Sequence, residues 1–304
     1  MRILVTGASG LLGLNLALEA SKEHTVFGQV NTHGLRGTDF SAVQADLLAP
    51  GAIERLLDQA RPDWVIHCAA LAIIDACETD PDRAQQLNSE VPAKLASSVA
   101  RGGARLVHIS TDAVFDGLRG EYTETDAPNP MSVYARTKLE GERAVAKANP
   151  DAIVARVNLY GWSLTRSRSL GEFFFYNLQA GRPVKGFTDV YFCPLLANDL
   201  AHILLDMLSA GLSGLYHTVS SECITKYEFG VAIARRFGLD EALIVPASVA
   251  AGGLKAARSP HLTLRTDKLA QALGRPLPGF FPGLERFYKL YQQGYPQKIR
   301  GLGE

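Results

Sequence analysis

The chain has 304 residues, 47% of them hydrophobic and 20% charged, which is apolar material for one large α/β domain plus a smaller lobe. Lys+Arg and Asp+Glu both number 31 and no basic run occurs, so nothing recommends nucleic acid or an anionic membrane as partner.

Met1 to Ala20 carries the first signal. Ile3-Leu4-Val5 reads as a buried strand, and the segment after Gly10 sets Leu12 and Leu16 four apart, the spacing of a helix face. Glycines 7, 10 and 13 therefore sit at a strand-to-helix turn. Backbone N–H groups and the helix dipole there favour a dinucleotide's phosphates. Gly7 suits the tight turn, Gly10 a close approach of the pyrophosphate, and Gly13 close packing of helix on strand. The spacing is G-x-x-G-x-x-G, a departure from the commoner G-x-G-x-x-G.

His24 to Val30 reads as the second strand. No acid lies between Glu23 and Asp39, so nothing is set to hold both ribose hydroxyls of NAD. That predicts NADP, with Arg36 and His33 near the 2′-phosphate and NADH left open. Ser41–Ala45 reads as a strand before Asp46-Leu47, Ala52–Ala60 as a helix, and Trp64–Ala70 as a strand ending in small residues. Pro81–Ala100 reads as a long helix containing Asn88, with a kink or break near Val91 caused by Pro92. Arg105–Ser110 is the fifth strand, Val133–Ala148 a helix and Ala152–Asn158 the sixth strand. This alternation predicts a Rossmann-type doubly wound parallel sheet.

Beyond Gly161 the rhythm fails. Helices are predicted over Phe173–Ala180, Ala197–Ser209, Thr225–Phe237, Thr266–Leu273 and near Leu284–Tyr291, with short strands at Val184 and Leu215–Val219. The end, Ile299–Glu304, is expected to fray. The domain reading is a dinucleotide-binding domain over 1–161 and a mainly substrate-binding lobe over 162–304, some segments of which return to the sheet. The uncharged run Trp64–Ile74 is too short to span a bilayer, and with the first strand at the N-terminus no signal peptide is expected. Cys68, Cys77, Cys193 and Cys223 form no C-x-x-C pair and are expected as reduced, mostly buried thiols of a cytoplasmic protein. The seven histidines show no ligand spacing, so no metal site is expected.

Tyr134 and Lys138 lie four apart on a predicted helix and share a face. A free tyrosine titrates near pKa ~10, and a neighbouring ammonium would lower that and let the phenol exchange a proton. Ser110-Thr111-Asp112 ends the fifth strand, at the carboxyl edge where parallel sheets bind ligands. A hydroxyl there can bond a substrate carbonyl oxygen or simply cap a turn.

With these motifs the chain resembles the extended short-chain dehydrogenase/reductases, and within them the dTDP-4-dehydrorhamnose reductase group. The carriers are TGASGLLG (6–13), Asp46-Leu47, RPDWVIHCAA (61–70), Asp75-Ala-Cys-Glu78, Asn88, STDAVFDG (110–117), Tyr134-Ala-Arg-Thr-Lys138, Arg156-Val-Asn-Leu-Tyr-Gly161, Pro194 to Ala201, and Arg258…Thr266-Asp-Lys-Leu269. The resemblance implies a dinucleotide site made of Gly7, Ser9, Gly10, Leu11, Leu12, Gly13, Asn31, His33, Arg36, Asp46, Leu47, Ala69, Ala70, Leu71, Ser110, Tyr134, Lys138, Val157 and Asn158. In it Asp46 would contact the adenine and Ala69-Ala70 would pass beneath the cofactor. The implied catalytic set is Thr111, Tyr134, Lys138 and Asn88: Thr111 and Tyr134 on the carbonyl oxygen, Lys138 on the nicotinamide ribose, and Asn88 holding the active-site helix. Ala113 stands where the group commonly has Tyr, which implies an altered acceptor pocket.

The activity implied is NADPH-dependent reduction of a keto group on a nucleotide-linked deoxysugar, with Arg166, Arg168, Arg258 and Arg265 as candidates for the carrier's diphosphate. A homodimer is kept open. Two alternatives stand beside it: a nucleotide-sugar epimerase or dehydratase, and a non-catalytic subunit like that of methionine adenosyltransferase.

Overall fold

A computed structural model describes residues 1–251 and 259–303. The first half alternates as the sequence predicts: β1 (Arg2–Thr6), α1 (Leu11–Ala20), β2 (Thr25–Val30), β3 (Ser41–Gln44), α2 (Ala52–Ala60), β4 (Trp64–His67), α3 (Ile74–Thr79), α4 (Pro81–Gln85), α5 (Val91–Gly102), β5 (Arg105–Thr111), α6 (Val133–Ala148) and β6 (Ile153–Val157). The second half carries β7 (Leu159–Tyr160), α7 (Leu170–Gln179), β8 (Val184–Phe187), β9 (Tyr191–Phe192), β10 (Leu195–Leu196), α8 (Ala197–Ser209), β11 (Gly214–Thr218), β12 (Ile224–Thr225) and α9 (Lys226–Phe237). It ends with β13 (Ile244–Ala247), β14 (His261–Leu262), α10 (Asp267–Leu273), α11 (Phe280–Gln292) and α12 (Tyr295–Gly301).

Seven parallel strands make the main sheet, in the order β11-β6-β5-β4-β1-β2-β3. Strand alternation divides its core. Ile3, Val5, Ile66, Val107 and Ile153 face the side covered by α1 and α8, whereas Leu4, Val65, Leu106 and Val154 face α2 and α5. The strand order reverses between β1 and β4, and a crevice opens there beyond the strands' carboxyl ends.

The irregularity expected near Val91 takes the form of a π-turn over Gln86–Glu90 that joins α4 to α5 just before Pro92, which cannot donate. Two expectations are corrected. The C-terminus does not fray through Ile299–Gly303. Ile299 and Leu302 are buried, the Leu302 carbonyl accepts the Arg36 N–H at 2.8 Å, and the Tyr295 hydroxyl reaches Asn15 Oδ1 at 2.9 Å. Cys193 and Cys223 are not free thiols but a disulfide; antiparallel pairing of β9 with β12 brings their Cα atoms to 4.1 Å. Cys68 and Cys77 are free. No helix among the described residues is long and apolar enough to cross a membrane.

Candidate active site

The glycine turn lies at the switch point. Gly7 has φ +68°, and a Cβ there would stand 2.8 Å from the Ala69 backbone, so the β1 turn touches the chain leaving β4. A Cβ on Gly13 would meet the Gly7 carbonyl oxygen at 2.2 Å. Gly13 thus admits the turn itself rather than the strand. Gly10 is less confined, with its nearest neighbour at 3.1 Å, and it caps α1. The turn is also bound from β2: Gln29 Oε1 accepts the Gly7 N–H at 2.9 Å while its amide donates to the Ala45 carbonyl. α1 has no acid in its first turn, so the field at its N-terminus stays positive.

A cleft of about 330 Å³ opens above this turn. Of the residues the sequence proposes, it gathers Gly7, Gly10, Leu11, Leu12, Gly13, Ala70, Ser110, Thr111, Tyr134, Lys138, Val157 and Asn158. Ser9, Asn31, His33, Arg36, Asp46, Leu47, Ala69, Leu71 and Asn88 lie outside its lining. Several of these support it. The Ala69 N–H donates to Thr6 Oγ1 at 3.2 Å, Asp46 Oδ1 accepts the Leu48 N–H at 3.0 Å, and Leu47 is buried against α2. Asn31, His33 and Arg36 are exposed beyond β2. A larger concavity of about 530 Å³ between α2 and α5 is rimmed by Glu54, Asp58, Arg61 and Arg101, and no group placed for chemistry lines it.

Asn88 acts by position. It sits in the π-turn, accepts the Leu71 N–H at 2.9 Å, donates to the Leu71 carbonyl at 3.1 Å and donates to Thr137 Oγ1 on α6 at 3.1 Å. A Cβ on Gly141 of α6 would fall 2.1 Å from the Asn88 carbonyl oxygen, so the two backbones touch. α6 starts under two caps, Ser132 Oγ on the Ala135 N–H and Glu78 Oε1 on the Val133 N–H. Tyr134 and Lys138, on the same helix, are thereby fixed relative to the sheet.

Burial dominates the electrostatics. Lys138 is buried, its Nζ donates to the Ile109 carbonyl at 2.6 Å, and desolvation brings its pKa down to about 8 against the attraction of Glu142. Tyr134 is pushed up to about 12 by burial; the Thr111 hydroxyl opposes this and the Asp112 charge adds to it. The expectation that Lys138 lowers the tyrosine is therefore not met, since the ammonium is tethered to the backbone of β5. Asp112 is raised to about 6 by burial, against hydrogen bonds from Asn158 Nδ2 at 2.6 Å and Thr111 Oγ1 at 3.2 Å. Thr111 also caps the turn over Asp112–Val114, accepting the Ala113 N–H at 3.1 Å. The capping role and a place in the cleft are both real.

Sequence reasoning missed the support behind β5 and β6. Ser110 donates to Glu142 Oε1 at 2.5 Å, and Arg156 holds the same carboxylate in two bonds of 2.9 and 2.7 Å. Glu142 follows Lys138 by four residues, so helical spacing was the signal that could have found it. Arg166 lies over the Tyr176 ring at 5.5 Å and Arg265 pairs with Asp267 at 2.7 Å, so neither faces the cleft; Arg258 lies outside the described residues. Arg168 does line it. Among the described residues no cluster of His, Cys, Asp and Glu could hold a metal.

The family model for the RmlD substrate binding domain matches residues 1–293. The chain is 34% identical over 289 residues to dTDP-4-dehydrorhamnose reductase of Mycobacterium tuberculosis, covering 91% of this chain and 88% of that protein. It is 35% identical over 256 residues to methionine adenosyltransferase 2 subunit beta of Bos taurus, covering 81% and 75%. Its fold matches the crystal structure of a dTDP-4-dehydrorhamnose reductase from Clostridium acetobutylicum with a TM-score of 0.82 and 27% identity, covering 96% of this chain and all of that one.

Proposed function

The chain belongs to the RmlD substrate binding domain family, and from that premise we propose that it is an NADPH-dependent reductase of a keto group on a nucleotide-linked deoxysugar. One observation carries the reading: Thr111, Tyr134 and Lys138 converge in the cleft that the glycine turn opens. The turn suits a dinucleotide, because glycines 7, 10 and 13 present backbone without side chains at the start of α1. Bound there, NADPH would supply a hydride to the carbonyl carbon.

Tyr134 then gives its proton to the carbonyl oxygen. Its raised pKa keeps the phenol protonated at neutral pH, and an alkoxide in formation is a strong enough base to take that proton. Thr111 offers a hydroxyl to the same oxygen. Lys138 carries its positive charge below about pH 8 and, in this reading, holds the nicotinamide ribose. Preference for NADPH rests on β2: no acid follows Val30 until Asp39, whose carboxylate faces Lys298 Nζ at 3.4 Å. Arg36, exposed and held through its backbone N–H on Leu302, is the cation proposed for the 2′-phosphate, with His33 and Asn31 beside it.

Residues 162–304 furnish most of the substrate lobe in this reading, although β11 and α8 return to the main sheet. The enzyme is proposed to be cytoplasmic, where activated sugars and reduced dinucleotide are available, and a homodimer is the assembly to test by sedimentation. The likeness to methionine adenosyltransferase 2 subunit beta favours a second reading, a dinucleotide-binding subunit without turnover. Purified protein is to be mixed with NADPH and a panel of nucleotide 4-keto-6-deoxysugars. Oxidation of NADPH by at least one panel member is expected; NADPH binding without turnover on any of them transfers the assignment to the second reading.

A further inference from the structure

We propose that Arg168 is the counter-cation for the diphosphate of the bound dinucleotide, delivered by a loop pinned to the helix that bears the glycine turn. The proposal rests on the cofactor reading above. The loop from Gly161 to Ser169 is closed at its neck by Ser169 Oγ, which donates to the Gly161 carbonyl at 2.7 Å. The neck sits on α1. Asn15 Nδ2 donates both to the Leu11 carbonyl at 2.7 Å and to the Trp162 carbonyl at 2.9 Å, and Leu11 Cδ1 lies 3.5 Å from where a Cβ on Gly161 would stand. Arg168 is the residue next to that neck. Its backbone N–H is held at 3.2 Å by Glu172, a buried carboxylate that also takes the Ser163 N–H and hydroxyl at 2.7 and 2.6 Å.

The Arg168 side chain is exposed in the cleft with Gly10, Leu11, Leu12 and Gly13, and among the described residues it forms no ion pair. Glu172, the nearest acid in sequence, is committed to the loop backbone and to Ser163. Lys138, the other cation lining the cleft, is bonded to the Ile109 carbonyl. An anion entering over α1 therefore meets the helix N-terminus on one side and one uncommitted guanidinium, whose planar fork matches phosphate oxygens, on the other. Attachment of the neck to α1 assigns this cation to the cofactor's diphosphate rather than to that of the sugar carrier.

The test is titration of NADPH and of dTDP, each alone, against the wild type, Arg168→Ala and Arg168→Lys, with circular dichroism to confirm folding. Arg168→Ala is expected to weaken NADPH about 10–100-fold, the worth of a charge-assisted bond, and to flatten the salt dependence of its binding. Arg168→Lys recovers part of the loss, and dTDP affinity stays within about twofold. Unchanged NADPH affinity in a folded Arg168→Ala protein overturns the proposal, as does a loss confined to dTDP. Failure of the wild type to bind NADPH overturns the cofactor reading and this assignment with it.

Discussion

Gly10 and Gly13 look alike in the sequence, three residues apart in one motif, yet their surroundings separate them. A methyl on Gly13 would lie 2.2 Å from the Gly7 carbonyl oxygen, a backbone atom inside a tight turn that has nowhere to go. A methyl on Gly10 meets the same oxygen at 3.1 Å, from a backbone at φ −81° that any residue adopts. Gly13→Ala should therefore destabilise the fold by about 1–3 kcal/mol, the usual cost of overpacking. Gly10→Ala should unfold within a few degrees of the wild type and lose NADPH affinity, since its methyl stands where phosphate would approach the turn. Thermal unfolding and cofactor titration of both variants check this; a Gly10→Ala protein that melts early and a Gly13→Ala protein that does not would reverse the roles. The Tyr134–Lys138 pair was legible from spacing alone, because i, i+4 geometry is local. Its electrostatics were not: burial and the Ile109 tether come from β5, distant in sequence.

At the scale of elements, helices with strong local signals ran where the sequence placed them. α6 and α8 span Val133–Ala148 and Ala197–Ser209, the predicted bounds. Elements defined by distant partners did not declare themselves. The π-turn at Asn88 depends on contact with Gly141, and the ordered C-terminus depends on Asn15 and Arg36. Glu19 shows the same kind of tie. From the end of α1 its buried carboxylate accepts Asn198 Nδ2 of α8 at 2.8 Å, Arg286 of α11 at 3.0 Å and Lys22 at 2.5 Å, with His202 at 3.3 Å. Burial alone would raise its pKa, but the His202, Lys22, Asn198 and Arg286 contacts outweigh that and hold it well below the ordinary 4.5. A carboxyl lowered on folding stabilises fully above its unfolded pKa and loses that contribution as pH falls further. Wild-type Tm should thus drop steeply as pH falls below about 4.5, and Glu19→Gln should start lower at pH 7 and show a flatter acid limb. Parallel acid limbs for the two proteins would show that Glu19 is not the linkage between these helices.

Across the whole molecule, the cleft is built from parts that no single segment contains. β1 and α1 bring the glycine turn, β5 brings Thr111, α6 brings Tyr134 and Lys138, β6 leads to Asn158, and the second half returns Arg168. The doubly wound sheet makes this convergence obligatory, because parallel strands all present their carboxyl ends on one edge. That is why the fold and the meeting of Thr111, Tyr134 and Lys138 in one cleft could be read from motifs, while the Cys193–Cys223 bond and the Glu142–Arg156 support, set by strand pairing and helix docking, could not. The central claim is that Tyr134 delivers the proton in a cleft whose dinucleotide is held elsewhere, at the glycine turn. Steady-state NADPH oxidation by wild type and Tyr134→Phe on a keto-sugar that the wild type turns over, with NADPH titration of both, tests it most directly. The account predicts a rate loss of about 10²–10⁴-fold with cofactor affinity retained; a Tyr134→Phe protein that reduces the sugar at near wild-type rate would contradict it.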